Sequence, residues 1–297
     1  NYQDWAEISA PRLAFVKDAV IRGVLPLHMP AGSGLRGTAD RFFVTPDVAY
    51  SPQMALLAVL SVGQFVLFDT LFFYTLCFLA LLWLRRRFRL SPAAFSLLFL
   101  MVGFNGYLQA HLSIGHLNWV VVFLFPWLLV LAIQILDAPQ GWGWITRVAF
   151  LLFFMLINGG FHQFVWSLMF LALLSMAAYR RFWVILASML FAGLLGAVRL
   201  LPPVLGLGAF DHQFLTGFPS LRLMASGFIS LVGPEDAYLL RTLIHYTGFW
   251  ELDVYLGRIG SLGLFFFGLL LWLRNALSRR QYPQLWLPAL VLAVLSF

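Results

Sequence analysis

The sequence has little charge and almost no cysteine. Only 10% of its 297 residues are Asp, Glu, Lys or Arg, whereas 62% are hydrophobic. A soluble domain carries about 25% charged residues, so this composition excludes a water-soluble globular protein and an intrinsically disordered one. The single cysteine, Cys77, excludes a disulfide framework and a cysteine-based metal site. The composition therefore predicts a multi-pass membrane protein.

Motifs of familiar soluble enzymes are also missing. The chain contains no P-loop, CxxC, HExxH or GxSxG element, and each of these supplies phosphate-binding amides, metal ligands or a nucleophile to its fold. Function must therefore depend on polar groups placed within or beside the membrane helices.

Long apolar runs recur along the whole chain. About 20 helical residues cross roughly 30 Å of hydrocarbon, so the runs predict an all-α fold with about eight transmembrane helices. The predicted spans are 63–84, 92–110, 116–136, 147–161, 164–179, 182–203, 256–273 and 285–297. Because the last run is cut off and no initiator Met is present, we expect a fragment of a longer protein.

Arginine occurs in alternate connections between these spans. The arginine-bearing connections contain Arg85–Arg89, Arg147, Arg180–Arg181 and Arg274–Arg280. The connections 109–116 and 159–163 contain neither Arg nor Lys. By the positive-inside rule, the arginine-bearing set is predicted to be cytoplasmic. The basic residues thus indicate topology, and we expect no nucleic-acid partner.

Two long polar segments are predicted on the extracytoplasmic side. The segments 1–53 and 206–255 hold ten of the twelve acidic residues, and they flank the predicted helices 54–205 and the truncated helices 256–297. In the first segment, Ser9 is predicted to cap a short surface helix that ends near Gly23. Loops of this length are usually functional, although they could simply cover the bundle.

Acidic and basic residues near the predicted outer face are the candidate site residues. Asp4 could act as a general base or bind a divalent metal ion, or it could be a solvated loop acid. Glu251, Tyr255 and Arg258 would share one face of a helix, where an arginine can bind a lipid phosphate. The alternative for this group is interfacial anchoring. Arg199, near a helix end, is either functional or extended towards water.

Histidines and one buried acid complete the candidates. His111, His116 and His162 lie at predicted outer helix ends, where hydrogen bonding is the ordinary role and pigment or haem ligation the rarer one. Asp69 lies seven residues inside its predicted helix. A carboxylate at that depth is costly, so we expect a polar partner within the bundle.

Several short motifs resemble one known family in their order along the chain. They are Gln3–Trp5 with Gly23–Pro30, Gly106–His111 with Gly115–Asn118, Asn158–Gln163, and Gly248–Glu251 with Tyr255–Gly257. Together they resemble GT-C integral membrane glycosyltransferases, most closely the YfhO-type bacterial membrane proteins. The resemblance implies location in the bacterial cytoplasmic membrane and transfer of a sugar from a polyprenyl-phosphate donor at the extracytoplasmic face.

The resemblance implies that the loop aspartate is the base, and the chemistry of transfer assigns roles to the other candidate residues. Asp4 would be the general base, with Glu251 as an alternative acid, and Arg199 or Arg258 would contact the donor phosphate. Glu251 and His116 would orient polar groups, and Tyr255 is a further candidate for substrate binding. Membrane lipids would be further partners. Two other hypotheses remain, namely a non-catalytic subunit that serves as a scaffold in a membrane complex, and a transporter of an amphiphile.

Overall fold

The computed structural model describes residues 5–24, 50–206, 255–263 and 282–295. Within these ranges every regular element is helical. The helices long and apolar enough to cross a membrane are Val62–Phe88, Pro92–Ile114, Leu117–Asp137 and Tyr179–Leu201. Shorter apolar helices cover Trp142–Ile157, Phe161–Ala177 and Pro283–Leu292. The all-α class is confirmed and four candidate spans indicate the multi-pass character, whereas eight spans and two long loops are not confirmed.

The α-helices are numbered in chain order. They are α1 (Ala10–Ile21), α2 (Val62–Phe88), α3 (Pro92–Gly103), α4 (Gly106–Ile114), α5 (Phe125–Asp137), α6 (Trp142–Ile157), α7 (Phe161–Ala177), α8 (Phe182–Gly206), α9 (Gly257–Leu262) and α10 (Trp286–Leu295). A π-helical turn covers Trp5–Ser9, and 3₁₀ segments cover Pro52–Ala58, Leu117–Leu124, Tyr179–Arg181 and Pro283–Leu285.

Helix α2 is long because both of its ends are stabilised. At its start, the Ser61 hydroxyl accepts a hydrogen bond from the Gln64 amide, and the Gln64 side chain accepts one from the Ser61 amide. At its end, the last turn contains Arg85–Arg87, whose charges interact favourably with the negative end of the helix dipole. The helix therefore extends four residues beyond the C-terminal end of the predicted span 63–84, to Phe88, and the C-cap residue Arg89 follows with a φ of 52°.

Among the described elements, the most extensive helix pairing is that between α6 and α8. Gly196 in α8 permits it, because a Cβ at this position would lie 2.7 Å from Leu156 Cδ2 in α6. Small residues allow this close approach in membrane bundles. Helix α2 packs on α3, α5 and the 117–124 segment, and α10 packs on α7.

Polar side chains define two opposite ends of the bundle. The arginine end carries Arg87, Asp137 and Tyr282. The Arg87 guanidinium donates to both Asp137 oxygens at 3.0–3.2 Å and to the Tyr282 hydroxyl at 2.8 Å. That hydroxyl donates to Asp137 at 2.6 Å. This cluster joins the ends of α2 and α5 to the start of the last helix. The histidine end, which carries His111, His116 and His162, contains the candidate site.

Candidate functional site

The span that runs from Pro92 to Ile114 is interrupted between α3 and α4. Asn105 starts α4 by accepting a hydrogen bond from the Leu108 amide at 2.9 Å. The Gly103 carbonyl, left free by the break, accepts from the Tyr74 hydroxyl at 2.5 Å, and the Gly106 amide donates to the Tyr255 carbonyl at 2.7 Å. Irregular backbone is tolerated at membrane depth only when the protein satisfies its polar groups. The protein therefore stabilises the break, and the backbone carbonyl of Tyr255 is one of the groups that do so.

The segment that follows Asp4 is bound to the C-terminal end of α4. The Trp5 indole donates to the Leu112 carbonyl at 3.0 Å, and the Ser9 hydroxyl donates to the Gly115 carbonyl at 2.5 Å. Helix α1 forms close to its predicted bounds, but Ser9 makes no side-chain capping bond, because its hydroxyl is used in this contact. Gly115, with a φ of 109°, ends α4 and exposes the carbonyl that Ser9 binds.

Aromatic and imidazole rings gather around Trp119 beside this end of α4. We call them the ring cluster, which consists of Tyr107, His111, His116, Trp119, His162 and Trp166. His111 stacks on Trp119 with ring centroids 3.8 Å apart, and His162 is nearly parallel to the same indole at 6.1 Å. His111 is fully buried, whereas His162 and Trp166 are exposed. The cluster thus runs from the bundle interior to the surface of the histidine end.

The predicted residue His116 is paired with a second histidine. Its Nδ1 lies 2.8 Å from Nδ1 of His111, so one ring donates a proton and the other accepts it. This pairing uses both Nδ1 atoms and therefore disfavours metal ligation through them. Among the described residues, no group of three or more His, Cys, Asp or Glu side chains is placed to hold a metal ion.

A buried carboxylate and two amides join three elements nearby. The Gln53 amide donates to Asp69 Oδ1 at 2.9 Å and to the side-chain oxygen of Asn158. The expected polar partner of Asp69 is thereby confirmed as Gln53, which lies in the 3₁₀ segment before α2. Asn158 also donates to the Phe154 carbonyl at 2.8 Å. The three side chains attach residues 52–58 to α2 and to the end of α6.

Arg199 contacts Tyr50, which lies just before the 52–58 segment. Its guanidinium carbon is 5.0 Å from the centre of the Tyr50 ring, and the residue is only 6% exposed. A desolvated cation over an aromatic face is favourable. Arg199 is therefore held inside the bundle near its histidine end.

The remaining predicted residues are only partly described. Tyr255 meets the start of α4 through its carbonyl group, whereas Arg258 lies in α9 and its side chain is outside the described part. Asp4 and Glu251 are both outside the described residues. Convergence of Asp4, Glu251 and an arginine on one pocket therefore stays a prediction.

Several residues of this region were not predicted from the sequence. Trp119, Gln53 and Trp166 belong to it, and only Trp166 had a usable signal. It follows His162 by four residues, and His111 follows Tyr107 by the same interval, which places each pair on one helical face. Gln53 stands in a polar segment and offers no periodicity that would single it out.

Comparison with known proteins adds no relative. The chain matches no family model, no curated protein and no solved structure. The site must therefore be interpreted from its own chemistry and geometry.

Proposed function

We propose that the protein is a membrane glycosyltransferase that moves a sugar from a polyprenyl-phosphate donor to an acceptor at the extracytoplasmic face, with Asp4 as general base. The observation that carries the proposal is the double anchor of Trp5 and Ser9 on the carbonyls of Leu112 and Gly115. Asp4 directly precedes Trp5, and neighbouring Cα atoms are about 3.8 Å apart. The proposal rests on this anchored segment, which directly follows the proposed base in the sequence.

The chemistry requires a base and a cation. The acceptor hydroxyl loses its proton to the carboxylate of Asp4, its oxygen bonds to the anomeric carbon, and the bond to the polyprenyl phosphate breaks. The leaving phosphate needs positive charge close by. Arg199 is a buried cation at the histidine end, and Arg258 is the second candidate. Glu251 is the alternative base, while His116 and Tyr255 would orient polar groups.

The base is tested by replacing Asp4 in the full-length protein. Asp4→Asn keeps shape and polarity but removes basicity, so transfer of labelled sugar from the lipid donor should fall by roughly 10²–10⁴-fold. Trp5→Phe keeps an aromatic side chain but removes the indole donor, and it should lower turnover less. Trp142→Phe, at a residue 76% exposed, is the matched control and should leave transfer unchanged.

Other outcomes would redirect or reject the proposal. If Asp4→Asn retains wild-type turnover while Glu251→Gln abolishes it, Glu251 is the base. If neither change matters, or wild type consumes no lipid-linked sugar, the scaffold hypothesis replaces catalysis. Arg199→Ala and Arg258→Ala should instead raise the KM for the donor, because the phosphate loses a charge-assisted bond.

The break between α3 and α4 favours a second candidate, transport of an amphiphile. Transporters often bind their substrates at interrupted helices, and this span is interrupted at Phe104 and Asn105. A labelled polyprenyl phosphate that crosses reconstituted vesicles without sugar transfer would favour transport. Sugar transfer without movement of the lipid would favour the glycosyltransferase.

A further inference from the structure

Asp69 is a fully buried acid with a single hydrogen-bond partner among the described residues. The residue is 0% exposed, and its Oδ1 accepts a hydrogen bond from the Gln53 amide. Its other oxygen, Oδ2, is buried and accepts no hydrogen bond from any described residue. The carboxyl group lies two turns inside α2, among apolar side chains.

The described elements packed on α2 place no ion-pair partner on Asp69. The 52–58 and 117–124 segments and α3 contain no titratable side chain, and the only one in α5, Asp137, lies at the arginine end. Helix α1 carries Arg12, Lys17 and Asp18. The Lys17 ammonium donates to the Leu60 carbonyl at 2.5 Å, and Asp18 pairs with Arg22. The ion pairs in the described part of the chain do not include Asp69.

An ionised carboxylate in this position would be strongly disfavoured. Burial penalises the charged form, and one amide donor does not replace the hydration of two oxygens. A protonated carboxyl group keeps the bond from Gln53 to Oδ1, and burying its uncharged hydroxyl costs far less than burying an anion. We propose that Asp69 is a proton-binding site whose carboxyl group is protonated at pH 7.

The bound proton would stabilise the contact between residues 50–58 and the bundle. Gln53 uses its two amide hydrogens on Asp69 and Asn158, and the same short segment includes Tyr50, which contacts Arg199. Loss of the proton places an uncompensated anion beneath residues 50–58, and we expect their backbone amides to exchange faster. This inference is independent of the proposed glycosyltransferase activity.

Infrared spectroscopy of the full-length protein in lipid nanodiscs at pH 7 tests the proposal. Wild type should show a carbonyl band of a protonated carboxyl group that Asp69→Asn removes. Asp137→Asn is the control, because it removes an acid paired with Arg87 and should leave that band intact. A band unchanged in Asp69→Asn would overturn the proposal. So would a carboxylate band of Asp69 that responds to replacement of Na⁺ by choline, which would indicate a cation site.

A second measurement does not depend on the folding of a variant. In wild type labelled with ¹³C at the aspartate carboxyl carbon, one resonance should keep the shift of a protonated acid at pH 7. Alkaline pH should move that resonance and accelerate hydrogen exchange in residues 52–58 together. Full ionisation of every aspartate at pH 7 would contradict the proposal.

Discussion

At the scale of single residues, Gly160 permits the closest approach at the histidine end. A Cβ at this position would lie 2.6 Å from Val121 Cγ1 and 2.9 Å from the Met155 carbonyl oxygen. The second atom belongs to the backbone and cannot rotate away. The turn between α6 and α7 is therefore pressed against the 117–124 segment, and this contact helps to place His162 beside Trp119.

We predict that Gly160→Ala destabilises the protein. The added methyl group forces the turn away from Val121, and overpacking of this kind costs about 1–3 kcal/mol. The thermal unfolding midpoint in detergent should fall. Gly143→Ala is the matched control, because a Cβ there meets nothing within 4 Å. An equal effect of the two substitutions would contradict this account of the turn.

A second residue-scale prediction concerns the pKa of Tyr282 at the arginine end. Burial, and then the hydrogen bond that its hydroxyl donates to Asp137, raise this pKa above its ordinary value of 10.0. Because the folded pKa is raised, the stabilising contribution is complete below pH 10 and is lost as pH rises through the folded value.

Absorbance titration measures the pKa of Tyr282 directly. The difference between wild type and Tyr282→Phe should show phenolate forming only at a pH above 10, the ordinary pKa. Asp137→Asn removes the charged acceptor, so the same phenol should ionise at lower pH. Identical titration curves for wild type and Asp137→Asn would reject the contact with Asp137 as a cause.

The sequence predicted single polar residues better than their partners. The depth of Asp69 in its helix indicated that it has a polar partner. It did not identify Gln53, whose amide also donates to Asn158, 105 positions further along the chain. Likewise, Ser9 was correctly placed at the start of α1, yet its hydroxyl binds Gly115. Contacts between distant segments depend on tertiary packing, which helical periodicity does not specify.

At the scale of elements, the pairing of α6 with α8 depends on a small residue. Gly193 and Gly196 both lie in α8, but only Gly196 would bring a Cβ against Leu156. We predict that Gly196→Leu separates the two helices and lowers the unfolding midpoint, because a large side chain overpacks their interface. Gly193→Leu, which enters open space, should be tolerated. Similar losses for both variants would contradict this account, because helix propensity favours leucine over glycine at both positions and only Gly196 faces Leu156.

Helix boundaries show why hydropathy predicts spans better than their internal geometry. The run 92–110 is predominantly apolar, so its hydropathy predicts one helix, whereas the structure divides it at Phe104 and Asn105. The break exists because Tyr74 and Tyr255 satisfy the freed backbone groups. Residues 117–124 similarly form a 3₁₀ segment, although their hydropathy alone favours an α-helix.

At the scale of the whole molecule, charged and polar groups separate towards the two ends of the helices. Arg85–Arg87 and Asp137 lie together at the arginine end. The other end holds the ring cluster and the buried pair of Asp69 and Gln53. Helices that alternate in direction produce this separation, as the alternation of arginine along the sequence predicts. The side of the membrane that each end faces stays a prediction from the positive-inside rule.

Cysteine accessibility tests that orientation. In a Cys77→Ala background, cysteines that replace Arg36, Ser113 and Arg222 should react with a membrane-impermeant reagent added to intact cells. Cysteines that replace Arg86 and Ala138 should react only after the membrane is opened. Ser113, Arg86 and Ala138 are all exposed, so a difference in labelling reports sidedness and not burial. The reverse pattern would place the ring cluster in the cytoplasm and reject a donor site at the extracytoplasmic face.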